Sequence, residues 1–149
     1  FNTTPADGTD TERIAKIALW LMGTIKDHDV AAVAVETQHL DSGSRGTERD
    51  AKSYDAQGVA ACRGAVAALC ALTGLPVYEG APSTAKKALT GNGRASKEQM
   101  RAMAQTIFPK GVRVSFDAAD AAGIARAGQN RWKDANLQQR LAGTSAVRD

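Results

Sequence analysis

The chain is predicted to fold as a single α/β domain, and three observations predict this class. Residues 30–36 form an apolar run that stops at Glu36, as a buried parallel strand does when it delivers a polar residue to the carboxyl edge of a sheet. A second short strand is expected at residues 77–79, and the stretches around both strands carry helical patterns. With 149 residues and 43% hydrophobic content, the chain can bury one core and is not expected to be disordered.

The helices can be placed from capping patterns and apolar stripes. Thr9 with Glu12 and Ser96 with Gln99 form possible capping boxes, and the first box opens an apolar stripe that continues to Ile25. Small residues are frequent along the second helix, which allows a second subunit to approach closely there. The predicted helices span residues 9–25, 53–73, 83–91, 96–108 and 116–128.

Residues 1–128 are assigned to the folded domain. Residues 129–149 are polar and lack a sustained apolar stripe, so they are expected to form a loosely ordered tail. No stretch approaches the roughly 18 consecutive apolar residues of a membrane span, and the amino end lacks the pattern of a signal peptide. The protein is therefore expected to be soluble and cytoplasmic, without a membrane partner, unless a preceding segment carried a targeting signal.

The net charge is only +3, but the basic residues are unevenly distributed. Residues 1–80 carry seven Lys and Arg against eleven Asp and Glu, whereas residues 81–112 carry six basic residues against Glu98 alone. A basic segment of this kind can hold phosphates, although a solvated helix face would look the same. The six basic residues are Lys86, Lys87, Arg94, Lys97, Arg101 and Lys110.

Three acids are candidates for chemistry. Glu36 ends the first strand, and Asp117 and Asp120 are three positions apart at the start of the last helix, so their carboxylates share one helix face. Carboxylate oxygens in such an arrangement can converge on a hard cation. The three acids together suggest a magnesium-dependent phosphodiesterase.

Several further motifs occur in an order that matches one family. Cys62-Arg63-Gly64 opens a long Ala/Val/Leu run, and a strand and the turn Gly91-x-Gly93 follow it. With the strand ending in Glu36, the two basic positions Lys86 and Lys97, and the segment Asp117-Ala118-Ala119-Asp120, residues 29–128 resemble the RuvC family of Holliday-junction resolvases. These are nucleases with the ribonuclease H fold.

The resemblance implies a ribonuclease H-like mixed sheet flanked by helices, and an endodeoxyribonuclease that resolves Holliday junctions by paired cleavage. It implies a homodimer acting on four-way junction DNA, with two Mg²⁺ ions per site and Mn²⁺ as a substitute. Glu36, Asp117 and Asp120 would be both catalytic residues and metal ligands, and Lys97 would also be catalytic. The DNA-binding residues would be Lys86, Lys87, Arg94, Lys97, Arg101 and His39.

Two departures from the family pattern qualify this reading. The family begins with a strand that carries a first catalytic aspartate before Pro-Gly, and nothing in this chain matches it. The chain is therefore expected to be part of a longer polypeptide or to have rebuilt its sheet edge, and without that aspartate it could be inactive alone. In addition, Gln38 and His39 stand where the family has an apolar or aromatic residue, and the loop at 40–54 is longer than usual.

Three alternatives stay open from the sequence. A junction-binding protein without cleavage would bind DNA but show no metal dependence. An RNase H-like nuclease acting on flaps or RNA-DNA hybrids would differ in substrate, because a fold does not fix a function. An α/β domain that binds a small molecule would have no salt-dependent affinity for DNA.

Overall fold

The computed structural model describes residues 8–37 and 49–145. All of its helices and strands were predicted, and the α/β class is confirmed. They form two compact units, of which the first holds α1 and α2 and the second holds both strands with α3, α4 and α5. The elements are α1 (Asp10–Asp27), β1 (Val33–Glu36), α2 (Arg49–Thr73), β2 (Val77–Gly80), α3 (Pro82–Thr90), α4 (Lys97–Ile107) and α5 (Phe116–Ser145).

The first unit is a helix pair in which α1 packs against α2. The predicted capping box is present, because the Thr9 hydroxyl accepts from the Glu12 N–H and the Glu12 carboxylate accepts from the Thr9 N–H at 2.7 Å. The hydrogen bond from the Thr9 N–H, and a second one that the Thr9 hydroxyl donates to the same carboxylate oxygen at 2.9 Å, stabilise the ionised form and lower the pKa of Glu12. Helix α2 ends at Thr73, and the next residue, Gly74, has a φ of +71°, a left-handed conformation that glycine readily adopts.

The second unit is built around two parallel strands. Val33 pairs with Val77 and Glu36 pairs with Gly80, so both strands end at the same edge of the sheet. The Thr37 N–H donates to the Gly80 carbonyl at 2.9 Å and extends the pairing by one residue. Within the described ranges the sheet is parallel throughout, and the antiparallel strands of a mixed sheet are not found there.

Helix α5 packs on this sheet through Gly128. A Cβ atom added at Gly128 would lie 2.6 Å from the Cβ of Ala34 and 3.8 Å from the Cβ of Tyr78. A second glycine, Gly123, has equally little space, because its Cβ would lie 3.1 Å from the Ala85 carbonyl oxygen. Because these two positions have no side chain, α5 can pack closely against both β1 and α3.

Helices α4 and α5 enclose a small apolar core. The buried residues at its centre are small apart from Met100, which is fully enclosed. A Cβ at Gly123 would lie 2.7 Å from the Met100 Cε atom, so the methionine fills the space that the glycine leaves. The core consists of Ala95, Met100, Ala104, Val114 and Ala119.

The prediction that α5 fades after Gly128 into a loosely ordered tail is wrong for residues 129–145, which continue the helix to Ser145. Residues 129–142 contain neither Gly nor Pro and are mostly good helix formers, so the helix needs no apolar stripe to continue. A guanidinium N–H of Arg131 donates to the Glu79 carbonyl at 2.6 Å and ties this extension to β2. The start of α3 also differs, because Ala81 rather than Ser83 is its N-cap and Pro82 its first residue.

The Gly128→Ala substitution should destabilise the protein by about 1–3 kcal/mol, the usual cost of overpacking a core. The new methyl group meets the Ala34 methyl group, which cannot rotate away, so the backbone must shift. Gly23→Ala is the matched control, because nothing lies within 4 Å of a Cβ at that position of α1. It should stabilise by roughly 0.5–1 kcal/mol. Urea unfolding of both variants measures the difference, and equal stabilisation by both would contradict the described packing.

Candidate functional site

Glu36 lies at the carboxyl edge of the two-stranded sheet. It is the last residue of β1, it is exposed, and its register partner is Gly80. Because the strands are parallel, the chain leaves both of them at this edge. Open α/β sheets place their sites at such an edge, as the sequence indicated.

Helix α5 runs towards the same edge in the direction of its amino-terminal end. Gly128 packs near the middle of the strands against Ala34, whereas the Ile124 side chain reaches within 3.8 Å of a Cβ built on Gly80, at the strand end. Moving back along α5 therefore leads from the middle of the sheet to its carboxyl edge. Asp120 lies one further turn in this direction, about 6 Å along the helix axis, and Asp117 lies beyond it.

The two aspartates begin α5 in different environments. Asp117 is exposed in the first turn and Asp120 is half-buried. The Ser115 hydroxyl accepts from the Ala118 N–H at 3.1 Å, so Ser115 satisfies one of the free donors at the helix start. The remaining first-turn N–H groups and the helix dipole favour negative charge at Asp117.

The direction of α5 takes Asp120 and then Asp117 towards the edge where Glu36 lies, but the three acids do not form a closed ligand set. Within residues 8–37 and 49–145, no group of three or more His, Cys, Asp or Glu side chains is close enough to hold a metal ion. The donor type nevertheless fits Mg²⁺, since all three predicted ligands are carboxylates and Mg²⁺ is typically held by one or two carboxylates together with substrate phosphates. The site residues named from the sequence therefore remain a prediction.

The turn between α3 and α4 is held by a close backbone contact and a side-chain hydrogen bond. Gly91 ends α3 with a φ of +81°, and a Cβ on Gly93 would lie 3.2 Å from the Ser83 carbonyl oxygen, so the turn lies close against α3. The side-chain oxygen of Asn92 accepts a hydrogen bond from the Arg94 N–H at 3.0 Å. These contacts fix the position from which Lys97 starts the next helix.

Ser96 and Gln99 form the predicted capping box of α4. The Ser96 hydroxyl accepts from the Gln99 N–H at 3.2 Å, and the Gln99 side chain accepts from the Ser96 N–H at 2.9 Å. Lys97, the first residue of the helix, is exposed. Hydrogen bonds at this helix start, first from its own backbone and then from Ser96, lower the pKa of Glu98.

We call the predicted DNA-binding residues on α3, the turn and α4 the basic strip: Lys86, Lys87, Arg94, Lys97 and Arg101. All except the half-buried Lys86 are exposed. Lys97 and Arg101 are four residues apart on α4 and share a face. The sixth predicted DNA-binding residue, His39, lies outside the described residues.

Sequence reasoning missed one contact of the basic strip. The Arg101 guanidinium lies over the Phe116 ring, 4.5 Å from its centroid, so it makes a cation–π interaction with the first residue of α5. This contact links the basic strip to the residue preceding Asp117. The two residues are fifteen positions apart and lie on different helices, so no local spacing could have predicted the pair.

A family model described as crossover junction endodeoxyribonuclease RuvC matches residues 2–127 and so spans both units. The RuvC protein of Erythrobacter litoralis is 31% identical over 135 residues, which are 91% of this chain and 77% of that protein. The RuvC protein of Protochlamydia amoebophila is 35% identical over 116 residues, and the match spans 77% of this chain and 64% of that protein.

Two solved structures have a similar fold. Thermus thermophilus RuvC superposes with a TM-score of 0.63 at 29% identity, covering 85% of this chain and 71% of that one. The same protein in complex with Holliday junction substrate gives a TM-score of 0.64 at 31% identity. The ribonuclease H-like fold implied by the sequence resemblance is thereby confirmed. No helix among the described residues is both long and apolar enough to span a membrane.

Ser96→Ala should destabilise the protein by about 1 kcal/mol, because the first turn of α4 loses its side-chain cap. Ser83→Ala is the matched control, since Ser83 lies exposed in α3 and is not its N-cap. Chemical denaturation of both variants measures the loss. If both substitutions lower the free energy of unfolding equally, the capping box does not stabilise the start of α4.

Proposed function

Because the chain belongs to the RuvC family of crossover junction endodeoxyribonucleases, we propose that it resolves Holliday junctions by magnesium-dependent phosphodiester hydrolysis. The observation that supports this role is the direction of α5, which takes Asp120 and then Asp117 towards the sheet edge where Glu36 lies, in the same unit as the basic strip. A nuclease needs both features, because phosphates must be held while a cation binds the scissile one. The family is one of metal-dependent nucleases.

In this proposal, Glu36, Asp117 and Asp120 hold two Mg²⁺ ions, and Mn²⁺ can substitute. When bound, the ions supply charge stabilisation at the scissile phosphate and lower the pKa of the attacking water. The half-buried Asp120 and the exposed Asp117 would hold them from the start of α5, and Glu36 would hold them from the end of β1. Their three negative charges also make the site repel DNA phosphate until cations are present.

The basic strip holds the DNA backbone. Lys97 and Lys86 bind phosphates, and Lys97 also offsets negative charge that develops in the transition state. Lys87, Arg94 and Arg101 add contacts that carry no sequence information. Each of the five basic side chains displaces counterions from the DNA when it binds a phosphate. The affinity for DNA should therefore fall steeply as the salt concentration rises.

The proposed partner is a four-way junction bound by a homodimer. A junction has near two-fold symmetry and needs two matched nicks, which a two-fold dimer with two sites provides. Helix α2 is the candidate interface, because its small residues let another helix approach closely. Those residues are Gly58, Ala61, Gly64, Ala65, Ala67 and Ala68. As a DNA-processing enzyme, the protein would work in the cytoplasm at the nucleoid.

A second candidate function is junction binding without cleavage. The observation that favours it is the lack of a three-ligand metal group among residues 8–37 and 49–145. In that case the basic strip binds DNA and the acids are vestigial. An RNase H-like nuclease for flaps or hybrids would share the site but not the substrate, so a panel of branched and linear substrates distinguishes it.

Asp120→Asn should abolish magnesium-dependent nicking of a four-way junction and leave junction binding intact, because the amide is a much poorer ligand than the carboxylate. We expect the nicking rate to fall by more than about 100-fold. Losing a residue that only hydrogen-bonds to a metal ligand already costs roughly 10–100-fold in activity, and Asp120 is proposed as a ligand itself. Asp134→Asn, an exposed position further along α5, is the matched control and should nick normally. Undiminished nicking by Asp120→Asn would remove this residue from the site. No nicking by the unmodified protein, with binding intact, would favour the non-catalytic candidate.

Lys97→Ala should weaken junction binding and reduce the slope of log affinity against log salt by about 1, the value for one phosphate contact. Lys26→Ala removes an exposed lysine from α1, outside the basic strip, and should leave the slope unchanged. Fluorescence anisotropy titrations over a series of salt concentrations measure both. The same slope in all three proteins would assign Lys97 to a solvated helix face.

A further inference from the structure

The first turn of α5 is held differently on its two sides. On the core side, Ala119 is fully buried and Ala118 packs against the same core. On the solvent side, Phe116 and Asp117 are both exposed. Among the residues that the structure describes, no hydrogen bond or ion pair fixes the Asp117 carboxylate. Because the ends of helices fray, the location of this carboxylate depends on what holds the exposed side of the turn.

Arg101 holds that side of the turn. Its guanidinium lies over the Phe116 ring, 4.5 Å from the ring centroid, which is well within the roughly 6 Å range of a cation–π interaction. Arg101 is itself anchored, because the preceding residue, Met100, and Ala104 one turn further along α4 are both enclosed in the core. The stack therefore joins a fixed helix to the residue that precedes Asp117.

The stack leaves Arg101 able to bind DNA. A guanidinium group stacks through its face and donates hydrogen bonds from N–H groups at its edge, so one side chain can do both. Within residues 8–37 and 49–145, Arg101 donates no hydrogen bond, and its N–H groups are available to a phosphate. Removing the Phe116 ring would thus break the stack while keeping the charge that a phosphate needs.

We propose that Arg101 is a positioning residue for cleavage: its stack on Phe116 fixes the first turn of α5 and thereby the place of the Asp117 carboxylate in the metal site. The inference rests on the proposed function, in which Asp117 binds Mg²⁺. It gives Arg101 a role that is separate from phosphate contact. A ligand held in place by surrounding groups binds a cation more tightly than one that must be ordered each time, so the stack raises the affinity for the cation without touching it.

The contact can be broken from either side with conservative variants. Phe116→Leu keeps an apolar residue with good helix propensity but removes the ring, whereas Phe116→Tyr keeps a ring on which the guanidinium can stack. Arg101→Lys keeps the positive charge but loses the planar group that stacks. Arg113→Lys makes the same exchange at an exposed position outside the basic strip and is the matched control.

The first readout is the Mg²⁺ concentration that gives half-maximal nicking of a four-way junction. It should rise by about two- to fivefold in Phe116→Leu and Arg101→Lys, the range that an exposed cation–π contact accounts for. The double variant should show the shift of one single variant rather than the product of two, because both changes break the same contact. In Phe116→Leu, the nicking rate at saturating Mg²⁺ and the salt slope of junction binding in saturating calcium should be unchanged.

The second readout is metal binding by the protein without DNA, which does not depend on nicking. The electron paramagnetic resonance signal of free Mn²⁺ falls as the ion binds, so a titration gives the dissociation constant for Mn²⁺. Phe116→Leu should raise this constant by the same two- to fivefold, as expected for the loss of an exposed cation–π contact. Phe116→Tyr and Arg113→Lys should leave it unchanged. A stack that only stabilised the fold would leave it unchanged in every folded variant.

Three results would overturn the inference: unchanged Mg²⁺ and Mn²⁺ requirements in Phe116→Leu, the same shift in Phe116→Tyr, or shifts that multiply in the double variant. An unmodified protein that binds junctions but neither binds Mn²⁺ nor nicks would instead overturn the proposed function. The two failures are thus distinguished by the behaviour of the unmodified protein. Circular dichroism of each variant establishes that it is folded.

Discussion

The close packing of α5 at Gly128 and Gly123 is the constraint on which the arrangement of the second unit depends. A methyl group at either position would meet atoms of Ala34 or Ala85 that cannot rotate away. With hydrogen there instead, the helix lies against β1 and α3 and runs towards the carboxyl edge of the sheet. That direction takes Asp120 and then Asp117 towards the edge where β1 ends, so the predicted acidic site depends on this backbone packing.

The same packing joins the acids to the basic strip. Met100 fills the space beside Gly123 and Arg101 stacks on Phe116, so α4 is held to the start of α5 at two points. Opposite charges are thereby carried on one compact unit but on separate elements. This separation suits a protein that must attract phosphate and bind a cation at once, because directly paired acids and bases would neutralise each other.

Local signals predicted much of this fold. The capping boxes at Thr9 and Ser96 and the run ending at Glu36 each depend on neighbours within a few residues, and each is present. Long-range contacts could not be predicted in this way. The Arg131 contact with β2 and the Arg101 stack depend on the packing of α5, and so does the relation of Asp120 to Glu36. The continuation of α5 past Gly128 has no apolar periodicity that indicates it, and helix propensity is the signal that accounts for it.

The measurement that tests the resolvase reading most directly is a binding competition between a four-way junction and a linear duplex of the same sequences. Calcium prevents cleavage, and near-physiological salt suppresses the phosphate-driven affinity that both DNAs share. We expect a strong preference for the junction. Equal binding of the two DNAs, or no binding by a folded sample, would contradict it and would leave the fold without the substrate proposed for it.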